Sequence, residues 1–208
     1  KRKEIINGVK VYRSLIIPRG KASGVRLFIN YYSFAFFASI KAFFLGLNNQ
    51  YDAVIVHEPS PITQFYPALL IKKIWKTPIY FWVMDLWPET LSVAGGIQNK
   101  LVLKYYNSVV TSFYNNSEKI LITSRGFKKS ILKKGDFEKK IIYFPNWAED
   151  VISEGNKKCF IPELPKGFKI MFAGNLGESQ DLENILNAFL ELKSNKNIKL
   201  ILVGEGRK

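Results

Sequence analysis

The alternation of short apolar segments with helical segments from residue 51 onward constrains this fold more than any other feature. The predicted strands are Tyr51–His57, Pro78–Met84, Glu118–Thr123 and Lys140–Phe144, and the predicted helices between them are Ile62–Trp75, Gln98–Asn116 and Arg125–Lys134. Strands that alternate with helices are typical of βαβ units, in which successive strands are parallel. The sequence therefore predicts an α/β domain with a parallel sheet.

A second βαβ unit follows a stretch without periodicity. Residues 148–167 are rich in charge, glycine and proline, which is typical of an interdomain linker. After it come a predicted strand at Phe168–Ala173, a helix at Asp181–Leu192 and a strand at Ile198–Val203. We therefore predict a first domain over 1–147, a linker over 148–167 and the beginning of a second domain over 168–208.

Candidate catalytic residues follow two predicted strands of the first domain. Asp85 comes directly after an apolar strand, and Trp87-Pro88 separates it from Glu89. Ligands of open α/β sheets bind beyond the carboxyl ends of the strands, which places Asp85 at such a site. Asp85 could instead cap the next turn, with Trp87 filling the core. His57, the sole histidine, is either a proton shuttle at the preceding strand end or a buried, hydrogen-bonded histidine.

Two glycine-bearing turns end the strands of the second unit. Gly174-Asn175-Leu176-Gly177 leads into a helix, and Gly204-Glu205-Gly206 follows the last strand. Backbone amides in such turns, together with a positive helix end, can bind a phosphate. Glycines between a strand and a helix are also required for purely steric reasons. Both turns are predicted to lie at the same edge of the sheet.

The charge balance restricts the class of partner. The chain has 31 Lys plus Arg and 17 Asp plus Glu, a net charge of +14, which indicates an anionic partner such as phosphate, nucleic acid or an acidic membrane surface. The basic residues are scattered and match no nucleic-acid-binding motif, so nucleic acid is the less favoured partner. The single cysteine, Cys159, excludes an internal disulfide and a cysteine-based metal site, which fits a reducing compartment.

The most apolar segment runs from Tyr31 to Leu47, with Lys41 in its interior. It is shorter than the roughly 20 apolar residues that a bilayer span requires. As a helix it is apolar nearly all round, so it is either a buried packing helix or an interfacial membrane helix. Residues 1–30 contain eight basic side chains and one acidic one, Glu4. A basic stretch beside an aromatic helix suits an anionic membrane surface.

The ordered set of motifs resembles the bacterial family 4 glycosyltransferases of GT-B fold, in the branch that builds O-antigen and capsule and includes the fucosamine-type sugar transferases. The motifs that carry the resemblance are Tyr51–Pro59, Asp85-Leu86-Trp87-Pro88-Glu89, Pro145-Asn146-Trp147, Phe172–Gly177 with Gln180, and Val203-Gly204-Glu205-Gly206. The resemblance implies two Rossmann-like domains that face a cleft. The first would hold the acceptor and the second would mainly hold the nucleotide sugar.

The resemblance also implies a reaction. A hexosyl or N-acetylhexosaminyl group would pass from a nucleotide sugar, expected to be UDP-linked, to a polyprenyl diphosphate-linked saccharide, with retention of anomeric configuration. The expected location is the cytoplasmic face of the bacterial plasma membrane, in lipopolysaccharide or capsule biosynthesis. Neither a cofactor nor a metal is expected, because the sequence has no Asp-x-Asp and no acidic cluster.

The resemblance implies roles for individual residues. Asp85 would orient the acceptor hydroxyl and His57 would shuttle a proton. Glu89 would assist, or would be an exposed carboxylate that caps the following helix. Asn175, the amides of Gly174 and Gly177, and the side chain of Gln180 would lie against the departing diphosphate, with Gly204, Glu205 and Gly206 in the neighbouring turn. Much of the wider family has an arginine and a lysine at the positions of Asn175 and Gln180, so the leaving group would need a basic residue elsewhere.

The resemblance further predicts missing parts. Such a first domain opens with a strand and a glycine-rich loop that precede the start of this chain, and the second domain continues to a pair of glutamates separated by seven residues. We therefore interpret the chain as part of a longer enzyme and expect it to be inactive alone. The alternative is a non-catalytic basic module that binds an anionic membrane surface.

Overall fold

The computed structural model describes residues 3–20, 24–93, 96–147, 162–177 and 180–206. The chain forms two compact units, Lys1–Trp147 and Ala148–Lys208, each of which is described by itself. Most of the predicted linker, residues 148–161, lies outside the described residues.

The first unit begins with an antiparallel hairpin and a long helix. Strands β1 (Lys3–Ile6) and β2 (Val9–Tyr12) pair with each other, and helix α1 spans Gly24–Asn48. The hairpin turn is Asn7-Gly8, and both residues have positive φ, as a tight turn between two strands requires. Arg13, directly after β2, forms a salt bridge with Glu4 on β1.

Helix α1 is longer than the sequence predicted. It begins at Gly24, well before Tyr31, and its 25 residues are long and apolar enough to cross a membrane by length and composition. The prediction that this segment is too short is therefore wrong, because Val25, Leu27, Phe28 and Ile29 extend the apolar helix at its N-terminal end. Length and composition alone do not distinguish a membrane span from the core helix of a soluble protein.

Helix α1 packs against the first unit along one side only, so it is not the fully buried helix that one of the sequence alternatives expected. One side packs on helix α2 (Tyr66–Trp75), where Gly46 contacts the Trp75 indole so closely that a Cβ would lie 2.6 Å from the ring. Only 11% of its most apolar stretch is buried. The other side carries a stripe of exposed apolar residues, which we call the α1 stripe: Val25, Phe28, Ile29, Phe36, Ile40, Phe44 and Leu47.

A four-stranded parallel sheet forms the centre of the first unit. Its strands are β3 (Val54–Glu58), β4 (Ile79–Val83), β5 (Lys119–Ile122) and β6 (Ile141–Tyr143), and they lie in that order. The prediction of an α/β fold with a parallel sheet is confirmed, and the architecture is consistent with a Rossmann-like domain. The strands end within three residues of the predicted bounds.

Helices connect these strands and cover one face of the sheet. A 3-10 helix (Ile62–Phe65) precedes α2, and α3 (Glu89–Val93), α4 (Lys100–Asn116), α5 (Phe127–Leu132) and a second 3-10 helix (Glu138–Lys140) follow. Asn99 caps α4, because its side chain accepts hydrogen bonds from the amides of Leu101 and Val102. This cap explains why α4 begins at Lys100 and not at the predicted Gln98.

The core lies between the sheet and these helices. Phe65 stacks on Phe113 with ring centroids 4.3 Å apart and meets Phe81 edge-on at 4.8 Å, and all three rings are buried. Each buried Phe contributes about 1.5–3 kcal/mol by removal of apolar surface from water. The opposite face of the sheet is more open, since Ile55 on β3 is 68% exposed.

The second unit contains two strands and one helix among its described residues. Strand β7 (Phe168–Ala173) pairs in parallel with β8 (Ile198–Val203) along the whole of both strands, and α6 (Leu182–Glu191) connects them. Apolar side chains are exposed on β7, among them Phe168 and Met171, and on α6, among them Leu190. A two-stranded sheet of this kind has little core of its own.

Candidate functional site

The loop after β4 places Asp85 at the carboxyl edge of the parallel sheet. Strand β4 ends at Val83, and α3 begins at Glu89, so Asp85 lies in the short connection between them. Its carboxyl is half-buried, and burial raises its pKa. Trp87, two residues later, is 3% exposed and belongs to the core, as one of the two sequence interpretations expected. The geometry thus leaves Asp85 accessible while Trp87 anchors its loop.

Glu58 is a buried carboxyl beside this loop, and the sequence analysis did not select it. It is the last residue of β3 and is fully buried. Burial raises its pKa from the usual 4.5 to about 9, and the charge of Asp85 adds to this rise. The backbone amides of Asp85 and Ser60 offset part of the effect, although neither Glu58 oxygen has a hydrogen bond of ordinary geometry in the described structure. Glu58 is therefore a protonated, neutral acid at pH 7.

The pattern of β3 could have revealed Glu58. Alternate residues of a strand point to opposite faces, so Glu58 shares the face of Val56, which is buried, and His57 shares the exposed face of Ile55. A carboxyl at that position cannot remain charged without a partner. The resemblance drew attention to His57 instead, because histidine is the familiar proton carrier.

Ser60 lies directly after this strand end and has a strained backbone. Its φ is +99°, a conformation that residues with a side chain rarely adopt. Gln64 stabilises the turn by donating a hydrogen bond from Nε2 to the Ser60 carbonyl oxygen, 3.0 Å away. Strain of this kind persists where the surrounding structure imposes it, often beside functional sites.

Glu89 is engaged in contacts within the first unit. Ser130 Oγ donates to Glu89 Oε1 at 2.5 Å, and Lys134 Nζ lies 2.7 Å from the same oxygen. Burial would raise the pKa of Glu89, but these two hydrogen bonds outweigh it and lower the pKa. Both partners lie at or just beyond α5, so Glu89 ties the start of α3 to that helix. Because its carboxylate is charged and held by these two contacts, Glu89 has a structural role in the first unit.

His57 lies on the exposed face of the sheet and not in the core. Its ring meets Trp82 edge-on, 4.9 Å between centroids. Phe144 and Trp147 also contact Trp82, at 5.1 and 5.4 Å, so the Pro145-Asn146-Trp147 motif completes an aromatic cluster. The interpretation of His57 as a buried histidine is wrong. The structure brings together Asp85 and Glu58, whereas the ring of His57 is on the other side of β3.

The two glycine turns of the second unit pack directly against each other. The Gly174 amide donates to the Val203 carbonyl oxygen at 2.9 Å, and the Leu176 amide donates to the Glu205 carbonyl oxygen at 2.8 Å. A Cβ at Gly204 would lie 1.8 Å from the Gly174 carbonyl oxygen, and one at Gly206 would lie 1.8 Å from that of Leu176. The predicted common edge is confirmed, and close backbone approach explains Gly204 and Gly206 sterically. The prediction that the Gly174 amide lies against a diphosphate is wrong, because this amide is bonded to the Val203 carbonyl oxygen.

Gly177 has a different environment, because polar side chains converge on it. A Cβ there would lie 2.7 Å from Asn175 Nδ2 and 3.0 Å from Gln180 Oε1. The structure therefore brings the predicted donor-binding side chains Asn175 and Gln180 together just before α6. Their amide groups can donate to an anion, but neither brings the positive charge of a lysine or arginine. Glu205 is exposed in the adjacent turn.

No group of three or more His, Cys, Asp or Glu side chains within the described ranges could hold a metal ion. In the part of the chain that the structure describes, the carboxyls of Glu58 and Asp85 therefore have no third His, Cys, Asp or Glu with which to hold a metal ion.

The fold and these strand-edge residues are those of an α/β protein with a Rossmann-like parallel sheet and polar groups at its carboxyl edge. No protein-family profile matches the chain. Searches of curated proteins found similarity to bacterial glycosyltransferases. The chain is 25% identical over 134 residues to a probable glycosyltransferase, WbjE, of Pseudomonas aeruginosa, which covers 60% of the chain and 33% of that protein.

A second relative comes from Escherichia coli strain K12. WcaI, provisionally named a colanic acid biosynthesis glycosyl transferase, is 29% identical over 127 residues, which covers 56% of the chain and 30% of that protein. The matched region spans about a third of the length of these relatives. The chain is thus similar to parts of two bacterial proteins named as glycosyltransferases, one of them in colanic acid biosynthesis.

Proposed function

We propose that this chain is part of a retaining family 4 glycosyltransferase of GT-B fold that acts in bacterial surface polysaccharide biosynthesis. The observation that carries the proposal is the similarity to WbjE and WcaI, in a chain whose first unit has the parallel sheet such an enzyme requires. The donor is a nucleotide sugar, UDP-linked, that supplies a hexosyl or N-acetylhexosaminyl group. The acceptor is a polyprenyl diphosphate-linked saccharide.

Asp85 is the residue that orients the acceptor hydroxyl in this proposal. It is half-buried at the sheet edge, and its charge is next to the neutral acid Glu58. Because Glu58 is neutral, the Asp85 carboxylate can stay charged and accept a hydrogen bond from a sugar hydroxyl. A charged Glu58 would repel the Asp85 carboxylate. Glu89 has a subordinate part as the residue that positions the loop through its contacts to α5. His57, whose ring lies on the other side of β3, would carry a proton at the strand end and not to or from the Asp85 carboxylate.

The second unit binds the donor in this proposal. The donors that we assign to the diphosphate are the side-chain amides of Asn175 and Gln180, which converge at Gly177, because the amides of Gly174 and Leu176 are engaged with the neighbouring turn. The transition state has oxocarbenium character on the sugar and growing negative charge on the diphosphate. Hydrogen-bond donors already in place stabilise that charge without reorganisation, which is how such a site works without a metal.

Contact with the cytoplasmic face of the plasma membrane is the third part of the proposal. The α1 stripe exposes aromatic and aliphatic side chains, and basic residues lie before it in sequence, at Arg13 and Arg19, and within the same helix, at Arg26 and Lys41. Apolar insertion together with attraction to anionic lipid gives peripheral binding. A lipid-linked acceptor would be presented at that surface.

Calorimetric titration of UDP and UDP-N-acetylhexosamines into the longest natural form of the chain tests the proposal. We expect saturable binding that is lost in Asn175→Ala. The matched control is Asn184→Ala, which alters an exposed asparagine on α6 and should bind as the unaltered protein does. Absence of nucleotide binding in the unaltered protein would overturn the transferase.

The titration, together with a vesicle-binding measurement, also distinguishes the transferase from the alternative, a non-catalytic basic module. The exposed α1 stripe favours membrane binding under either function. A protein that binds vesicles of anionic phospholipid tightly but no nucleotide sugar would be such a module. Binding of both ligands supports the transferase.

A further inference from the structure

The carboxyl end of β3 holds an acidic side chain that no substrate can reach. Glu58 has an exposed fraction of 0%. Both of its carboxyl oxygens are buried and have no hydrogen bond of ordinary geometry within the described residues. Buried polar groups are almost always paired, so an exception at the edge of a candidate site requires a physical explanation.

Glu58 lies where the connections after β3 and β4 begin. The two strands pair in parallel, with Glu58 opposite Val83. The Met84 amide donates a hydrogen bond to the main-chain carbonyl oxygen of Glu58 at 3.1 Å, which fixes the residue directly before Asp85. The Glu58 side chain faces the backbone amides of Asp85 and Ser60. The main chain and the side chain of Glu58 therefore both lie against the segment that carries the Asp85 carboxyl.

Other contacts hold the far side of the Asp85 loop. Trp87 is buried in the core. Thr90 donates hydrogen bonds from its amide and from Oγ1 to the Leu86 carbonyl oxygen, each at 2.8 Å. Because these contacts fix the residues after Asp85, the direction of its carboxyl depends on what holds the residues before it. Glu58 is in that place.

The surroundings of Glu58 favour its neutral form. Among the described residues, the ionisable side chains whose charge interacts with it are Asp85 in the β4 connection and Tyr114 on α4. Burial raises the pKa of Glu58 to about 9 and the pKa of Tyr114 above its usual value, so both groups are neutral at pH 7. A neutral carboxyl has a carbonyl oxygen that can accept from a backbone amide and an O–H that can donate to a carboxylate.

We infer that Glu58 is the positioning residue for Asp85. Its neutral carboxyl accepts from the amides of the two connections and donates a hydrogen bond towards the Asp85 carboxylate, which directs that carboxylate at the acceptor hydroxyl. The inference rests on the proposed function and adds to it a residue that the substrate does not touch. A charged Glu58 would lack the donor and would repel Asp85.

Substitutions in the longest natural form of the chain test the inference. The assay is transfer from a radiolabelled UDP-N-acetylhexosamine to a polyprenyl diphosphate-linked N-acetylhexosamine. Glu58→Gln keeps the shape, an acceptor and a donor, and we expect its kcat to stay within about threefold of the unaltered protein. Glu58→Met has a similar length and no hydrogen-bonding group, and we expect kcat to fall about 30-fold or more with the donor KM unchanged.

Val56→Ala is the matched control for loss of packing. Val56 is buried on the same face of β3, two residues before Glu58. This variant should have a lower Tm and an unchanged kcat, because it removes core contacts without touching the Asp85 loop. Equal kcat values in Glu58→Met and Glu58→Gln would overturn the inference.

The pH dependence of kcat gives a readout that packing alone would not change. The unaltered protein should lose about tenfold in kcat between pH 8 and pH 10, as Glu58 ionises with its pKa of about 9. Glu58→Gln has nothing to ionise at this position and should keep its kcat over the same range. An identical fall in both proteins would contradict the role of Glu58.

A measurement without turnover distinguishes failure of this inference from failure of the transferase. The ¹³C resonance of the Asp85 carboxyl, assigned by its loss in Asp85→Asn, should show a second inflection near pH 9 as Glu58 ionises. Glu58→Gln should lack that inflection. Sugar transfer by a protein without the inflection would overturn the inference alone, whereas an unaltered protein that transfers no sugar would overturn the transferase and this inference with it.

Discussion

Replacement of Glu58 by glutamine should make the first unit more stable at neutral and alkaline pH. Glu58 is fully buried at the end of β3, and its pKa is raised to about 9 from the usual 4.5, mainly by burial. The folded state therefore holds a proton that the unfolded state releases between these two values. The linkage makes the free energy of unfolding fall as pH rises through that interval.

The size of the effect follows from the width of the interval. Each pH unit between the two pKa values changes the free energy of unfolding by about 1.4 kcal/mol. Between pH 5 and pH 8 the natural protein should lose about 4 kcal/mol from this group, as an upper limit, because water entry and local relaxation reduce the penalty. Glutamine has the same shape and no charge, so the variant should lack this loss.

Urea unfolding monitored by tryptophan fluorescence at several pH values measures the difference. The stability gain of Glu58→Gln should be near zero at pH 4.5 and grow steadily up to pH 9. Glu138→Gln is the matched control, since it removes one carboxylate from an exposed ion pair with Lys128, and its effect should be small and nearly independent of pH. A gain in Glu58→Gln that does not change with pH would refute the assignment of a neutral buried acid.

Three further substitutions test the other residues of the site. Asp85→Asn should lower the rate of sugar transfer by about 100-fold or more without loss of thermal stability, if the carboxylate orients the acceptor hydroxyl; unchanged turnover with a radiolabelled donor would contradict that role. Glu89→Gln should reverse this pattern, with about 1 kcal/mol lower unfolding free energy from the weakened contacts to Ser130 and Lys134, and an activity loss as large as that of Asp85→Asn would contradict its structural role. Gly204→Ala should destabilise the second unit by about 2 kcal/mol or more, because its Cβ would collide with the Gly174 carbonyl oxygen at a φ of +153°. Faster hydrogen exchange at the amides of β7 and β8 measures that loss, and unaltered exchange would show that the two turns can separate.

The sequence predicted the order and type of the main elements because their signals are local. Strands β3 to β6 are short apolar segments between turns. Helices such as α4 are recognisable from the amphipathic spacing within their own sequence. The position of Asp85 after β4 followed in the same way, since a strand end is visible in the pattern. The bounds differed where a local cap decided them, as Asn99 did for α4.

The tertiary structure decided the chemical state of the site residues. Glu58 becomes a neutral acid because the helices cover one face of β3, and Glu89 remains charged because α5 brings Ser130 and Lys134 to it. His57, adjacent to Glu58 in sequence, is exposed because neighbouring strand residues point to opposite faces of the sheet. Protonation depends on burial and on partners distant in sequence, and only the packing of the whole unit supplies those.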